Sequence, residues 1–132
     1  MKKKEAYVVC VIDDDKVYQF ATTMSIEMLE KVKETMVFSD GEEAIDFFEQ
    51  NAQNTEALPD IILLDLNMPI MDGWQFLDEF VELKCKKDII IYVVLSSNDT
   101  IDTDRVKKIE EVSGYFVKPL NPKELEQILL NL

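Results

Sequence analysis

Short apolar runs alternate along this chain with segments in which apolar residues recur at helical spacing. The runs are rich in β-branched residues and predict five strands. They span approximately Ala6–Ile12, Glu34–Phe38, Asp60–Leu64, Ile89–Leu95 and Gly114–Val117. Strands that alternate with helices imply right-handed crossovers between parallel strands. We therefore expect a doubly wound α/β fold: a five-stranded parallel sheet in the flavodoxin-like order 2-1-3-4-5, with helices on both faces.

The first helical segment has apolar residues at i, i+3, i+4, i+7 and i+11, which predicts one apolar stripe of an amphipathic helix. The stripe consists of Val17, Phe20, Ala21, Met24 and Met28. Three later segments combine similar periodicity with helix-capping residues. Asp40 is the predicted cap before Ala44, Phe47 and Phe48, Asp72 the cap before Trp74, Leu77 and Val81, and Asn121 the cap before Leu125, Ile128 and Leu129.

The segment Asn98–Glu110 predicts a weaker helix. It is rich in threonine and aspartate, which are mediocre helix formers, and only Ile101, Val106 and Ile109 anchor it. A helix held by so few apolar contacts is suited to move.

Length and charge narrow the possible partners. The 132 residues suffice for one domain of ordinary size. A net charge of −13 argues against nucleic acid as a direct partner, because phosphate binding requires a basic surface. No apolar run has the length of a membrane span, and the first run is too short for a signal peptide. We therefore expect a cytoplasmic protein that binds neither nucleic acid nor membranes.

Two compositional features exclude common enzyme classes. The sequence has no histidine, which removes Ser-His-Asp and Cys-His triads and histidine-ligated zinc sites. Its three glycines are widely dispersed, so they form neither a P-loop nor a dinucleotide-binding motif.

Polar residues follow four of the predicted strands directly. Asp13 and Asp14 follow the first strand, Asp65 the third, Ser96 the fourth and Lys118 the fifth. Ligands of open parallel sheets bind at this edge, and in the order 2-1-3-4-5 the first and third strands are neighbours, so the acids converge. Carboxylates this close repel one another unless a cation lies among them, and all-oxygen ligands suit Mg²⁺.

A carboxylate at such a site can also act as a nucleophile and form an aspartyl-phosphate. The incoming phosphoryl group then requires a cation and hydrogen-bond donors around its oxygens. Lys118 supplies a positive charge and Ser96 a hydroxyl group. The sequence thus predicts phosphoryl transfer onto Asp65.

Four motifs distributed over the whole chain resemble those of the receiver domain of two-component response regulators, and more narrowly those of stand-alone, chemotaxis-type regulators. They are the Asp13-Asp14 pair, Asp-Leu-Asn-Met-Pro-Ile-Met-Asp-Gly from Asp65 to Gly73, the Ser96-Ser97 pair, and Gly-Tyr-Phe-Val-Lys-Pro from Gly114 to Pro119. The resemblance implies that residues 1–132 form a single receiver domain without an output domain.

The resemblance also implies how the acids are used. Asp65 would be the phospho-acceptor and a ligand of Mg²⁺. Asp14 would bind the metal directly and Asp13 through water, with the backbone carbonyl of Asn67 as a further ligand. The phosphodonor would be the phosphohistidine of a histidine kinase or histidine phosphotransfer protein.

The remaining motif residues would serve the switch that follows phosphorylation. Ser96 matches the family's switch hydroxyl, Tyr115 its switch aromatic and Lys118 its phosphate-binding lysine. The Lys118–Pro119 peptide bond is expected to be cis. Phosphorylation would remodel the surface of the fourth helix, fifth strand and fifth helix, which would then bind a downstream protein.

Two alternatives are weighed against this interpretation. A phosphatase of the haloacid-dehalogenase type also uses an aspartate nucleophile after a strand, but it requires a second aspartate two positions later, where this chain has Asn67. A degenerate receiver would bind partners without being phosphorylated. The intact Asp13-Asp14 pair, Ser96 and Lys118 argue against it.

Overall fold

The computed structural model describes residues 6–66, 68, 70–95, 110–118 and 121–130. These residues contain five strands and four helices. The strands are β1 (Tyr7–Ile12), β2 (Val32–Phe38), β3 (Ile61–Asp65), β4 (Ile90–Leu95) and β5 (Val112–Val117). The helices are α1 (Lys16–Glu27), α2 (Gly41–Asn51), α3 (Gly73–Leu83) and α4 (Pro122–Leu130).

The strands form one parallel sheet in the order β2-β1-β3-β4-β5, as predicted. In the register of the sheet, Val11 of β1 pairs with Val37 of β2 on one side and with Leu63 of β3 on the other. β1 and β3 are therefore neighbours, and the loops that follow them leave the sheet side by side.

Both faces of the sheet are buried, which explains why its central strands are apolar throughout. In β1, Val9 and Val11 belong to the core on one face, and Cys10 and Ile12 to the core on the other. The first core also contains Ile26, Leu29, Leu125, Ile128 and Leu129 from the region of α1 and α4. The second contains Ala44, Ile45, Phe48, Phe76 and Leu77 from α2 and α3.

The edge strands start earlier than predicted. β2 begins at Val32 rather than Glu34, and β5 at Val112 rather than Gly114. Edge strands are only partly covered, so polar residues such as Lys33 are tolerated at their exposed positions. The apolar run of an edge strand is therefore shorter than the strand itself.

The predicted helix caps are confirmed. The side chain of Asp40 accepts a hydrogen bond from Glu43 N at 2.8 Å, and that of Asn121 accepts one from Lys123 N at 2.8 Å. At the start of α3, Asp72 and Gln75 cap each other reciprocally. Such bonds satisfy N–H groups that have no partner within the first turn.

The apolar stripe of α1 does not face the core, which is where such a stripe normally packs. Its members are exposed, with Phe20 at 68 % and Met28 at 76 % of their maximal accessibility. The helix instead buries Gln19 and Ile26. Because α1 begins only two residues after Asp14, its first turn lies over the polar residues at the carboxyl edge of the sheet.

Two sequence predictions lie outside the described residues: the helix over Asn98–Glu110, of which only Glu110 is described, and the cis bond between Lys118 and Pro119. Of the helices that are described, none has both the length and the apolar character needed to cross a membrane.

Because the apolar stripe of α1 is exposed, we expect replacements in the stripe to cost little stability and replacement of the buried Ile26 to cost much more. Phe20→Ser should change the free energy of unfolding by no more than about 0.5 kcal/mol, because the ring is largely in solvent. Ile26→Ala should cost roughly 2 to 5 kcal/mol through lost burial and a cavity. Urea unfolding of both variants measures the difference, and a larger loss for Phe20→Ser would contradict the observed orientation of α1.

Candidate functional site

Three carboxylates meet at the carboxyl edge of the sheet. Ile12 pairs with Leu64 in the register of β1 and β3, so Asp13 and Asp65, which follow them, emerge beside each other. Both acids are buried, whereas Asp14 is partly exposed. One carboxylate oxygen from each of the three residues lies within 4.8 Å of the other two.

Lys118 neutralises part of this charge. Its Nζ atom lies 2.9 Å from Oδ2 of Asp13 and 3.5 Å from Oδ2 of Asp65. Its backbone N–H donates to the carbonyl of Leu95 at 2.8 Å, which fixes the end of β5 to β4. The lysine side chain therefore reaches across the end of β4, which separates β5 from β3, to the acids.

Two opposing effects act on the pKa of Lys118. Burial is the largest and favours the neutral amine. The hydrogen bond to Asp13 and the negative charges of Asp65 and Asp13 favour the ammonium, and together they outweigh burial. The pKa of Lys118 is therefore raised above its ordinary value, and the side chain is charged at neutral pH.

An aromatic ring adds to the environment of this ammonium group. Nζ of Lys118 lies 4.3 Å from the centre of the Tyr18 ring, within the range of a cation–π interaction. Tyr18 was not predicted from the sequence, because it lies off the apolar stripe of α1. The sequence did offer a signal for Tyr18. It lies three residues after Asp15, the cap of α1, and therefore one turn into the helix, near the acids.

The loop after β3 is held in a tight conformation. A Cβ atom at position 73 would lie 2.7 Å from the carbonyl oxygen of Asp65, and one at position 41 would lie 2.7 Å from that of Met71. Only glycine allows these approaches without movement of the backbone. Ile70, in the same loop, has a φ angle of 68°, which is uncommon for a β-branched residue and a sign of local strain.

The donor set fits a small divalent cation. The carboxylates of Asp13, Asp14 and Asp65 are hard oxygen ligands of the kind that Mg²⁺ takes. Three carboxylates and one ammonium leave two negative charges, which one divalent ion would balance.

Three predicted site residues are not among the groups described so far. Ser96 and Asn67 lie outside the described residues. Tyr115 lies on β5, opposite Val93, and packs half-buried against a small core formed by Leu66, Val93 and Leu95. Leu66, which directly follows Asp65, belongs to the same small core, so Tyr115 and the acceptor candidate border one apolar cluster.

The chain matches the family model of the response regulator receiver domain over residues 9–130. This protein belongs to the response regulator receiver family. Receivers are signalling switches rather than turnover enzymes. The same fold occurs in a two-component response regulator from Cytophaga hutchinsonii, with 30 % sequence identity, a TM-score of 0.83, and coverage of 98 % of this chain and all of the other.

Curated relatives extend the comparison. The receiver is 28 % identical over 129 residues to the nitrate/nitrite response regulator protein NarL of Escherichia coli, covering 98 % of this chain and 56 % of that protein. It is 36 % identical over 89 residues to a probable transcriptional regulator, ycf27, of Guillardia theta, covering 67 % and 31 % respectively. The chain thus spans between about a third and just over half of the length of these relatives. The predicted absence of nucleic-acid binding stays a prediction.

One solved structure bears on the metal. The receiver domain of a sensor histidine kinase from Pseudomonas aeruginosa, crystallised with magnesium in its active-site cleft, has a TM-score of 0.77, 20 % identity, and coverage of 96 % of both chains. At this identity the likeness concerns the fold, and the magnesium is a property of that protein.

The raised pKa of Lys118 predicts how its contribution depends on pH. Lys118→Met should lower the free energy of unfolding by about 3 kcal/mol near neutral pH, because it removes the ammonium that compensates the charge of the buried carboxylates of Asp13 and Asp65. The folded protein holds this proton more tightly than the unfolded chain, so the contribution is complete below the ordinary pKa of 10.5. This contribution to stability is lost as the pH rises through the higher pKa that Lys118 has in the folded protein.

Urea unfolding of both proteins in metal-free buffer, from neutral to alkaline pH, measures this effect. The difference in the free energy of unfolding between the wild type and Lys118→Met should stay constant up to the ordinary lysine pKa and become smaller above it. A difference that grows in the alkaline range would contradict the ion-pair assignment.

Proposed function

We propose that this receiver is a phosphorylation-activated switch that accepts a phosphoryl group on Asp65 from the phosphohistidine of a partner protein. The observation that carries the proposal is that the Asp65 carboxylate lies beside those of Asp13 and Asp14 and within 3.5 Å of the ammonium of Lys118. A bound metal ion and a lysine close to one carboxylate are the charges that phosphoryl transfer requires.

The transfer step follows from these parts. A carboxylate oxygen of Asp65 attacks phosphorus, the P–O bond forms, and the P–N bond to the donor imidazole breaks. The imidazole nitrogen takes a proton as it leaves. The carboxylates of Asp14 and Asp65, that of Asp13 through water, and the carbonyl of Asn67 would hold Mg²⁺, which would supply charge neutralisation at the phosphoryl oxygens.

Lys118 is placed to change partners during the reaction. In the unphosphorylated protein its ammonium is bound to Asp13 and Asp65. A phosphoryl group on Asp65 brings new anionic oxygens into the same space, and charge-assisted hydrogen bonds to them replace the pair with the free carboxylate.

The switch proposal concerns Ser96 and Tyr115. The hydroxyl of Ser96 would bind the phosphoryl group, and Tyr115 would move inward behind it. The packing of Tyr115 against the core that contains Leu66, the residue after Asp65, supports this coupling, because a shift of Leu66 would change that core. The moving surface would bind a downstream protein, and we place the receiver in the cytoplasm, where it meets the kinase.

Labelling with a small phosphodonor tests the acceptor. Incubation with acetyl phosphate and Mg²⁺ should add one phosphoryl group to the wild type and none to Asp65→Asn, which keeps the shape of the side chain and removes the nucleophile. Asp72→Asn is the matched control, because Asn also caps a helix and Asp72 serves as the cap of α3. Intact-mass spectrometry reads the result, and labelling of Asp65→Asn equal to wild type would refute the proposal.

This labelling and an assay of inorganic phosphate released from small phosphate esters together separate the alternatives. A phosphatase of the haloacid-dehalogenase type would turn over small phosphate esters continuously, whereas a receiver is labelled once and then loses the group by hydrolysis. A degenerate receiver would show no labelling. The acids and Lys118 favour the phosphorylated receiver over both.

The exposed stripe of α1 supports a protein as the donor. Val17, Phe20, Met24 and Met28 are all more than half exposed and lie at helical spacing along one face. The stripe starts at Val17, three residues after Asp14 of the acid cluster. A donor protein that presents its phosphohistidine to Asp65 would cover the start of this face, and burial of the apolar side chains would hold it there.

Replacing two of these residues should affect transfer from a protein but not from a small molecule. In the Phe20→Ser/Met24→Ser variant, we expect unchanged labelling by acetyl phosphate and at least tenfold slower transfer from a histidine kinase that phosphorylates the wild type. Val37→Ser on β2, also exposed, is the control and should behave as wild type in both assays. Equal rates of transfer to the variant and the wild type would contradict the proposal that α1 contacts the donor protein.

A further inference from the structure

Gln19 is a buried polar residue with a position that neither the fold nor the proposed transfer step explains. It lies on the inner face of α1 with 9 % of its surface exposed. Its side-chain Nε2 donates one hydrogen bond to the backbone carbonyl of Asp13 and another, of 3.1 Å, to the hydroxyl of Ser39. Both amide protons are therefore used.

These bonds connect the loops after β1 and β2. The hydroxyl of Ser39 also accepts a bond of 2.7 Å from Nζ of Lys16. The backbone N–H of Asp13 donates to the carbonyl of Phe38 at 3.1 Å. The peptide groups on both sides of the Asp13 Cα atom are thus anchored, one to β2 and one to Gln19.

The side chain of Asp13 is held as firmly as its backbone. Its Oδ1 atom accepts a bond of 2.9 Å from the backbone N–H of Asp15, and its Oδ2 atom pairs with Lys118. The carbonyl that Gln19 binds belongs to the peptide group between Asp13 and Asp14. A rotation of that group would move both carboxylates relative to Asp65.

We propose that Gln19 is a positioning residue for the metal site: its amide fixes the Asp13–Asp14 peptide group and thereby presents both acids to Mg²⁺ at the spacing that the cation requires. The inference rests on the proposed function, in which these acids bind Mg²⁺. Hydrogen bonds behind the ligands of metal sites contribute to affinity because Mg²⁺ demands nearly ideal geometry.

A purely structural role makes a different prediction. If Gln19 only fills space and satisfies buried groups, its loss would lower the free energy of unfolding and leave the metal affinity of the folded protein unchanged. A positioning role weakens binding of the metal to protein that is still folded. The two roles are therefore separated by an affinity measured under native conditions.

The experiment is an NMR titration of the full chain with MgCl₂, following backbone amide resonances. The amide of Asp15 is the probe, because it donates to the carboxylate of Asp13. Gln19→Met keeps an unbranched side chain of similar length without N–H donors, and we expect about tenfold weaker binding than in the wild type. Ser39→Ala removes only one partner of Gln19 and should weaken binding to a smaller extent.

Ile26→Val is the control for general destabilisation. Ile26 is buried on the same face of α1, two turns from Gln19, and its apolar side chain packs in the core. This variant should be less stable than the wild type and bind Mg²⁺ with the same affinity.

Each outcome decides between the claims. Saturable binding by the wild type with weaker binding by Gln19→Met supports the inference. Equal affinities of these two proteins overturn it and leave the proposed function intact. Lack of saturable binding by the wild type refutes the proposed metal site itself. If Gln19→Met does not fold, Ser39→Ala decides the question, and wild-type affinity in that variant overturns the inference.

Discussion

The ion pairs of Lys118 are the interaction on which the site depends. Asp13 and Asp65 are buried beside each other, and two adjacent carboxylates with little access to water repel one another. A single ammonium within 3.5 Å of both compensates this repulsion. The acids come from the ends of β1 and β3 and the lysine from the end of β5, so the pairing exists only once the sheet has formed.

This balance also leaves the site reactive. The lysine compensates one of the three negative charges, and the remaining two favour a divalent cation. In the proposed function, the arrival of a phosphoryl group changes the charge of Asp65 and so the partners of Lys118. A rearrangement that starts from one carboxylate thereby reaches β5, the strand of Tyr115.

Helix α1 unites two parts of the proposed function. Its inner face carries Gln19, which donates to the backbone carbonyl of Asp13, and Tyr18, which lies against the ammonium of Lys118. Its outer face carries the apolar residues proposed to meet the donor protein. A partner that binds the outer face therefore lies one helix diameter from groups that hold the acids in place.

The sequence by itself determined the α/β class, the strand order, the helix caps and the family, because apolar runs, capping residues and the motif from Asp65 to Gly73 are local features. It also indicated which acids meet, since parallel strands bring their carboxyl ends to one edge. The tertiary structure decided the orientation of α1 and the contacts of Tyr18 and Gln19 with the site. Periodicity reports that a helix has an apolar face but not which face packs on the sheet. Here the face with Gln19 and Ile26 packs inward, and the apolar stripe faces solvent.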